Sequence, residues 1–60
     1  MGRRLVPLLQ AEREHPWATE RRLRRLVAER RIQYFKIDRR IYFDEADLVA
    51  HEEASRVEAV

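Results

Sequence analysis

The sequence contains no cysteine, one glycine and two prolines among its 60 residues. Without cysteine, neither a disulfide framework nor a thiolate metal site can hold the fold. No apolar run approaches the roughly 18 residues of a membrane-spanning helix, and Arg3 and Arg4 precede no apolar leader. A chain of this length makes one domain with a small core and little room for a catalytic pocket. We therefore expect a cytoplasmic, non-enzymatic domain with no cofactor, no metal and no membrane contact.

Charge is distributed unevenly along the chain. Residues 1–43 contain twelve basic and five acidic residues, a net charge of +7, whereas residues 44–60 contain one and six, a net charge of −5. Twelve of the thirteen basic residues are arginines, whose planar guanidinium suits bidentate contact with phosphate or guanine. The separated charges favour a polyanionic partner for the first segment. A solvated charged surface is the alternative.

The first part of the chain predicts a short helix and a turn. Residues 8–14 read as helix, and Pro7 fits its first turn, where the missing N–H costs little. The predicted apolar stripe of this helix is Leu5, Leu8 and Leu9. His15 ends the helix because Pro16 disfavours helical geometry at the residue before it. The turn continues through Trp17, which we expect to be a core residue.

Thr19 is the predicted N-cap of a second helix that runs from Glu20 to about Arg31, a segment without glycine or proline. The predicted buried face of this helix is Leu23, Leu26 and Val27, which recur at helical spacing. Arg30 lies at the edge of that face, where its stem would cover the core. The first helix, the turn and this second helix together predict a helix-turn-helix.

Four arginines lie within five residues of the second helix. Arg21 and Arg25 are opposite the buried face, and Arg22 and Arg24 flank them. Like charges four residues apart destabilise an isolated helix, so this helix is better neutralised by an external anion. A helix fits the major groove of DNA, where arginine to guanine is the commonest base contact. The N–H groups at the start of the helix, beside Thr19, would suit a phosphate. An exposed face of a small bundle is the alternative.

After Ile32 the apolar period changes to two, which is typical of strands. The alternating apolar residues are Phe35, Ile37, Ile41 and Phe43. We predict a three-residue loop over residues 38–40, because a two-residue turn would split this apolar set between two faces. The loop lacks the glycine that a positive φ favours. Lys36, Arg39 and Arg40 make the hairpin tip basic, which favours contact with phosphate or the minor groove over a merely solvated loop.

A third helix is predicted to begin after Asp44, its N-cap, with Asp47 at the capping-box position. Its weak apolar face consists of Ala46, Leu48, Val49, Ala50, Ala54 and Val57. From about Glu53 onward we expect this helix to fray. His15 and His51 are far apart in sequence and have no obvious third ligand, so they do not predict a metal site. No serine or threonine has a plausible base nearby for nucleophilic catalysis.

The segment from Ala18 through Leu48 resembles the excisionase and MerR-type winged helix-turn-helix family. Residues 19–29 (TERRLRRLVAE) look like the recognition helix of that family. Residues 32–43 (IQYFKIDRRIYF) are similar to its wing hairpin, and residues 44–48 (DEADL) resemble the signature that opens its closing helix. Two segments depart from the family pattern. Asp38-Arg39 stands where the family usually has a glycine pair, and residues 15–17 replace a small-residue turn.

The resemblance implies one winged helix-turn-helix domain over residues 1–60, with its core at about residues 5–52. It implies that the segment of residues 19–25 contacts the major groove through Thr19, Glu20, Arg21, Arg22, Arg24 and Arg25. Within that segment Arg21 and Arg25 would contact base edges, and Arg22 and Arg24 would contact phosphates. The wing from Lys36 to Arg40 would contact the minor groove or the backbone.

Short members of the family include phage excisionases, also called recombination directionality factors. These proteins bind and bend attachment-site DNA and direct a site-specific integrase toward excision. The resemblance thus implies double-stranded DNA and an integrase as partners, a nucleoid-associated location in a bacterial or phage-infected cell, and head-to-tail association of copies on DNA. A small transcriptional regulator with the same fold is the second reading. A protein-interaction module that uses the acidic third helix is a third, from another class.

Overall fold

The computed structural model describes residues 3–57, which form three helices and a three-stranded antiparallel sheet. The elements are β1 (Leu5–Pro7), α1 (Leu8–Glu14), α2 (Glu20–Ala28), β2 (Phe35–Ile37), β3 (Arg40–Asp44) and α3 (Glu45–Ala54). The small α+β class is confirmed, with one strand more than predicted. The domain was expected to span residues 1–60, of which residues 1–2 and 58–60 lie outside the described range. No helix in residues 3–57 has the length and apolar character to cross a membrane.

Strand β1 is an element that the hydrophobic pattern did not indicate. It pairs antiparallel with β3, which places Val6 opposite Phe43, and β3 is the central strand. Val6 is 1% exposed, whereas Leu5 and Leu9 are 37% and 59% exposed. The apolar stripe predicted for α1 is therefore wrong for Leu5 and Leu9. The reason is that side chains alternate faces along a strand, whereas the predicted stripe assumed a helical period.

Helix α2 begins and ends at clear local signals. The Thr19 hydroxyl accepts a hydrogen bond from the Arg22 backbone N–H at 3.2 Å, which confirms the predicted N-cap. The helix ends at Ala28, three residues before the predicted end. It ends there because Arg30 takes a left-handed conformation with φ 56°. Its side chain is exposed, so the expected cover of the core by its stem is wrong.

The core lies between one face of the sheet and the helices. Its buried residues are Val6, Leu8, Ala11, Ala18, Leu23, Leu26, Ile32, Phe43 and Leu48. Leu23 and Leu26 confirm the predicted face of α2, and Val27 and Trp17 pack against the core while half-buried. Of the apolar face predicted for α3, only Leu48 is buried. The others stay exposed because α3 packs on β3 along one side only.

The hairpin has a two-residue turn, so the predicted three-residue loop is wrong. Ile37 pairs with Arg40, and Phe35 pairs with Tyr42. Asp38 and Arg39 both have positive φ, 50° and 68°. Positive φ at both central residues is typical of the type I′ turn, whose twist matches that of the flanking strands.

The same register explains why the apolar argument for the loop failed. The apolar set is divided between the two faces of the sheet, as the two-residue turn requires. Ile41 and Phe43 face the helices, whereas Phe35 and Ile37 lie on the outer face with Tyr42. Val6 of β1 supplies the inner neighbour of Phe43 that the prediction had assigned to Phe35.

Candidate functional site

Helix α2 presents arginines on the side that faces away from the core. Leu23 and Leu26 are buried, and Arg21 and Arg25 lie exposed on the opposite side. Arg25 pairs with Glu29 one turn later, with 3.2 Å between Nε and Oε2. Arg21 forms no ion pair within residues 3–57. The outward pair predicted from the helical spacing is therefore present on the surface.

The two flanking arginines of α2 face different neighbours. Arg22 lines a small groove against α3, together with Trp17, His51, Glu52 and Ser55. Arg24 lies on the other flank, where its Nε is 2.9 Å from Oε2 of Glu20. The pairs of Arg24 with Glu20 and of Arg25 with Glu29 are both exposed, so each contributes little to stability.

A groove of about 550 Å³ separates α2 from the β2–β3 hairpin. It is lined by Pro7, Leu8, Leu9, Glu20, Arg24, Arg39, Arg40 and Ile41. Three of the predicted basic residues line this groove, one from the helix and two from the hairpin, and the register places the Arg40 side chain on the outer face of the sheet. Arg39 and Arg40 form no ion pair within residues 3–57. Lys36, the fourth predicted cation of this region, is exposed but does not line the groove. It pairs with Ile41 in the register and so shares the inner face of the sheet with Ile41, whereas Arg40, which pairs with Ile37, is on the outer face.

The turn of the hairpin holds an arginine in a conformation that favours glycine. Arg39 has φ 68°, in the left-handed region where a Cβ is crowded by the following carbonyl. Asp38, at φ 50°, is a residue type that tolerates this region better. A glycine at position 39 would avoid the cost but would remove a cation from the groove. Sequences at functional sites commonly accept such local strain for the side chain it places.

The N-terminal end of α2 is already supplied with acceptors from within the chain. The Glu12 carboxylate accepts a hydrogen bond from the Glu20 backbone N–H at 2.8 Å. The Thr19 hydroxyl accepts from Arg22, as described above. The predicted phosphate site at this helix end is therefore wrong, because an internal carboxylate occupies it. Thr19 caps the helix and Glu20 pairs with Arg24.

A second charged cluster lies around Arg4. Its guanidinium donates to Glu14 and to Glu45, each at 2.9 Å. Hydrogen bonds from Arg4 and then from Gln10 hold the pKa of the Glu14 carboxyl below its usual value. The same contacts, first with Glu14, raise the pKa of Arg4. This cluster joins the N-terminal segment, α1 and α3.

His15 extends the Arg4 cluster into the junction between α1 and α3. Its Nε2 is buried without a hydrogen-bond partner, 3.7 Å from Oε1 of Glu45. Its Nδ1 lies 3.5 Å from Oε1 of Glu52. Glu14, His15 and Glu45 are close enough to form a metal-ligand set, with ligand atoms within 4.8 Å of one another. Arg4 already supplies a cation to both carboxylates, so the geometry serves as an ion-pair network.

Trp17 anchors α3 to the turn between α1 and α2. Its indole N–H donates to Glu52 at 2.8 Å. Its ring stacks on His51 with 5.1 Å between centroids. The expected core role of Trp17 is confirmed in part, since the ring is half-buried against the core and its polar edge reaches α3. The junction contacts carry no signal in the sequence, because their partners are 34 and 35 residues apart.

Comparison of this chain with protein-family models, with curated proteins and with solved structures finds no match.

Proposed function

We propose that this protein is a winged helix-turn-helix domain that binds double-stranded DNA and serves as an excisionase. In this role it would bind and bend attachment-site DNA and direct a site-specific integrase toward excision. The protein would act without catalysis of its own, in the cytoplasm and on the nucleoid. The fold class, the basic helix and the basic hairpin support the DNA-binding part of the proposal. The resemblance of residues 18–48 to the family supports the excision part.

The observation that carries the proposal is the convergence of Arg24 with Arg39 and Arg40 on one groove. A helix and a hairpin that share a cationic groove offer two elements to one polyanion. Arg21 and Arg25 extend the same surface outward. Glu20, the one carboxylate of α2, pairs with Arg24, and the C-cap residue Glu29 pairs with Arg25. The surface is therefore matched to a line of phosphates with base edges between them.

The dimensions of α2 suit the major groove. An α-helix with its side chains is about 10–12 Å in diameter, and the major groove of B-DNA is about 12 Å wide. With α2 in the groove, Arg21 and Arg25 meet base edges and Arg22 and Arg24 meet the phosphates on either side. Arg39 and Arg40 of the hairpin then reach the neighbouring backbone or minor groove, as a wing does.

A small transcriptional regulator would use the same surface, and it remains the second candidate. The protein-interaction reading is less well supported, because several acidic groups at the start of α3 and within it have partners inside the chain. Asp44 caps α3 and pairs with Arg3. Glu45 pairs with Arg4, and Glu52 accepts from Trp17. These contacts hold α3 in place, which leaves fewer acids for a basic partner.

Binding to duplex DNA at several salt concentrations tests the DNA-binding part. We expect the association constant to fall steeply with salt because phosphate contacts release counterions. Arg25→Ala should lose preference for one sequence, by about 1–3 kcal/mol. Arg39→Ala should weaken binding to all sequences alike. Absence of duplex binding by the native chain at low salt would contradict the proposal, and identical profiles for the two variants would contradict the assigned roles.

An excision assay separates the excisionase from the regulator. A cognate integrase acting on paired attachment sites should excise only when this protein is present. The Arg39→Ala chain should require a higher concentration for the same yield. DNA bending, measured by the mobility of permuted fragments, should accompany binding, and a head-to-tail array should show as cooperative shifts on longer sites. Duplex binding without any effect on excision would favour the regulator.

A further inference from the structure

The C-terminal end of α2 holds an arginine where a glycine would fit best. The Arg30 N–H donates to the Val27 carbonyl at 3.1 Å, and the Arg31 N–H donates to the Leu26 carbonyl at 2.9 Å. This pair of bonds is the Schellman motif, in which the residue after the C-cap adopts a left-handed conformation and is usually glycine. Arg30 occupies that position with φ 56°. Backbone geometry alone therefore does not explain an arginine there.

The side chain of Arg30 lies at a second groove, distinct from the one beside the hairpin tip. This groove measures about 580 Å³, with Arg30, Arg31, Gln33 and Tyr34 on its walls. Tyr34 is 44% exposed, which leaves its ring and hydroxyl accessible. Arg30 is exposed and forms no ion pair within residues 3–57, whereas Nη1 of Arg31 lies 3.6 Å from Glu29.

The placement of this groove follows from the direction of α2. The outward residues Arg21 and Arg25 occupy the first and second turns, and Arg30 follows directly after the last turn. When the outward face of α2 lies in the major groove, the C-terminal end of the helix lies beside the DNA strand that borders this groove. The carbonyls at a helix C-terminus repel an anion, so a phosphate there requires cations from side chains. Arg30 supplies one beside hydrogen-bond donors of Gln33 and Tyr34.

We propose that Arg30, with Gln33 and Tyr34, binds a backbone phosphate of duplex DNA at the C-terminal end of α2. This contact rests on the proposed DNA-binding function. It adds a third point of attachment to DNA, besides the outward face of α2 and the hairpin. It sets the position of α2 along the major groove of DNA. Arginine, glutamine and tyrosine side chains commonly position a protein on the DNA backbone in this way. Arg30 and Arg39 then both accept left-handed backbone strain in order to place a cation where it contacts DNA.

Arg30→Gly separates two interpretations of Arg30. A purely structural role predicts higher stability with unchanged DNA affinity, whereas a phosphate contact predicts higher stability with weaker DNA affinity. Glycine relieves the left-handed strain, so the thermal midpoint should rise by about 2–8 °C. The same change should weaken duplex binding about tenfold for all sequences. It should also reduce the slope of log K against log salt by about 1. Tyr34→Phe, which keeps the ring and removes the hydroxyl, should weaken binding a few-fold without changing that slope.

Arg13→Ala serves as the matched control. Arg13 is exposed on α1, forms no ion pair within residues 3–57 and lines neither basic groove, so the variant makes the same change of net charge elsewhere. We expect its binding to stay within about twofold of the native chain. Arg30→Lys keeps the charge and should retain the native salt slope.

The outcomes separate the two proposals. If the native chain does not bind duplex DNA, the proposed function fails. If it binds and Arg30→Gly is more stable with unchanged affinity and slope, Arg30 has only a structural role and the phosphate contact is refuted. A loss in Arg13→Ala equal to that in Arg30→Gly would also refute it, because net charge alone would then explain the effect.

Discussion

Val6 is the residue on which the unpredicted strand depends, and its truncation has a large expected cost. Val6→Ala removes two methyl groups from a side chain that is 1% exposed and lies opposite Phe43. Transfer of these groups accounts for about 1.6 kcal/mol, and the cavity of about 50 Å³ adds about 1.2 kcal/mol. We expect a loss of about 2.8 kcal/mol in the free energy of unfolding, equivalent to a fall of about 11–22 °C in the thermal midpoint for a domain of this size.

Leu9→Ala is the matched control for this prediction. It removes three carbon atoms from a side chain that is 59% exposed, so it should cost no more than about 1 kcal/mol and leave no cavity. Both variants can be compared by circular dichroism during thermal and urea unfolding, at the same protein concentration. A Leu9→Ala cost equal to or above that of Val6→Ala would refute the strand assignment, because it would place the helical stripe of the sequence pattern in the core.

Two further predictions concern the hairpin turn and the Arg4 cluster. Arg39→Gly should raise the free energy of unfolding by about 0.5–1 kcal/mol, because it relieves a positive φ; a lower thermal midpoint would argue against the two-residue turn. The pKa of Glu14 is lowered by Arg4, so the contribution of this pair is present above the unfolded pKa of the carboxyl and is lost as pH falls through the folded value. The difference in thermal midpoint between the native chain and Glu14→Gln should therefore shrink toward zero between pH 7 and pH 2, and a difference that grows in acid would contradict it.

Local signals were sufficient for the helices and their starts. Thr19 and Asp44 were predicted as N-caps and act as N-caps, because a side chain two or three residues from its partner needs no tertiary support. Leu23 and Leu26 were placed in the core by their spacing alone. The outward position of Arg21 and Arg25 followed from the same period.

The errors arose where a partner distant in the chain decides the geometry. The predicted hairpin register was wrong because Val6 of β1, not Phe35 of β2, is the neighbour of Phe43 on the inner face of the sheet. The anion site at the start of α2 was wrong because Glu12 of α1 fills it. No pattern in the sequence indicates either contact.

The sequence by itself determined that a helix rich in arginine precedes a basic hairpin, because composition and period are local properties. Only the tertiary structure decided that Arg24, Arg39 and Arg40 line one groove, since that depends on how α1 packs against both α2 and β3. It also decided that Arg30 lies outside the helix, in a left-handed conformation that no helical period contains. The sequence therefore determines the charge that favours a polyanionic partner. The arrangement of that charge on the surface depends on contacts between segments far apart in the chain.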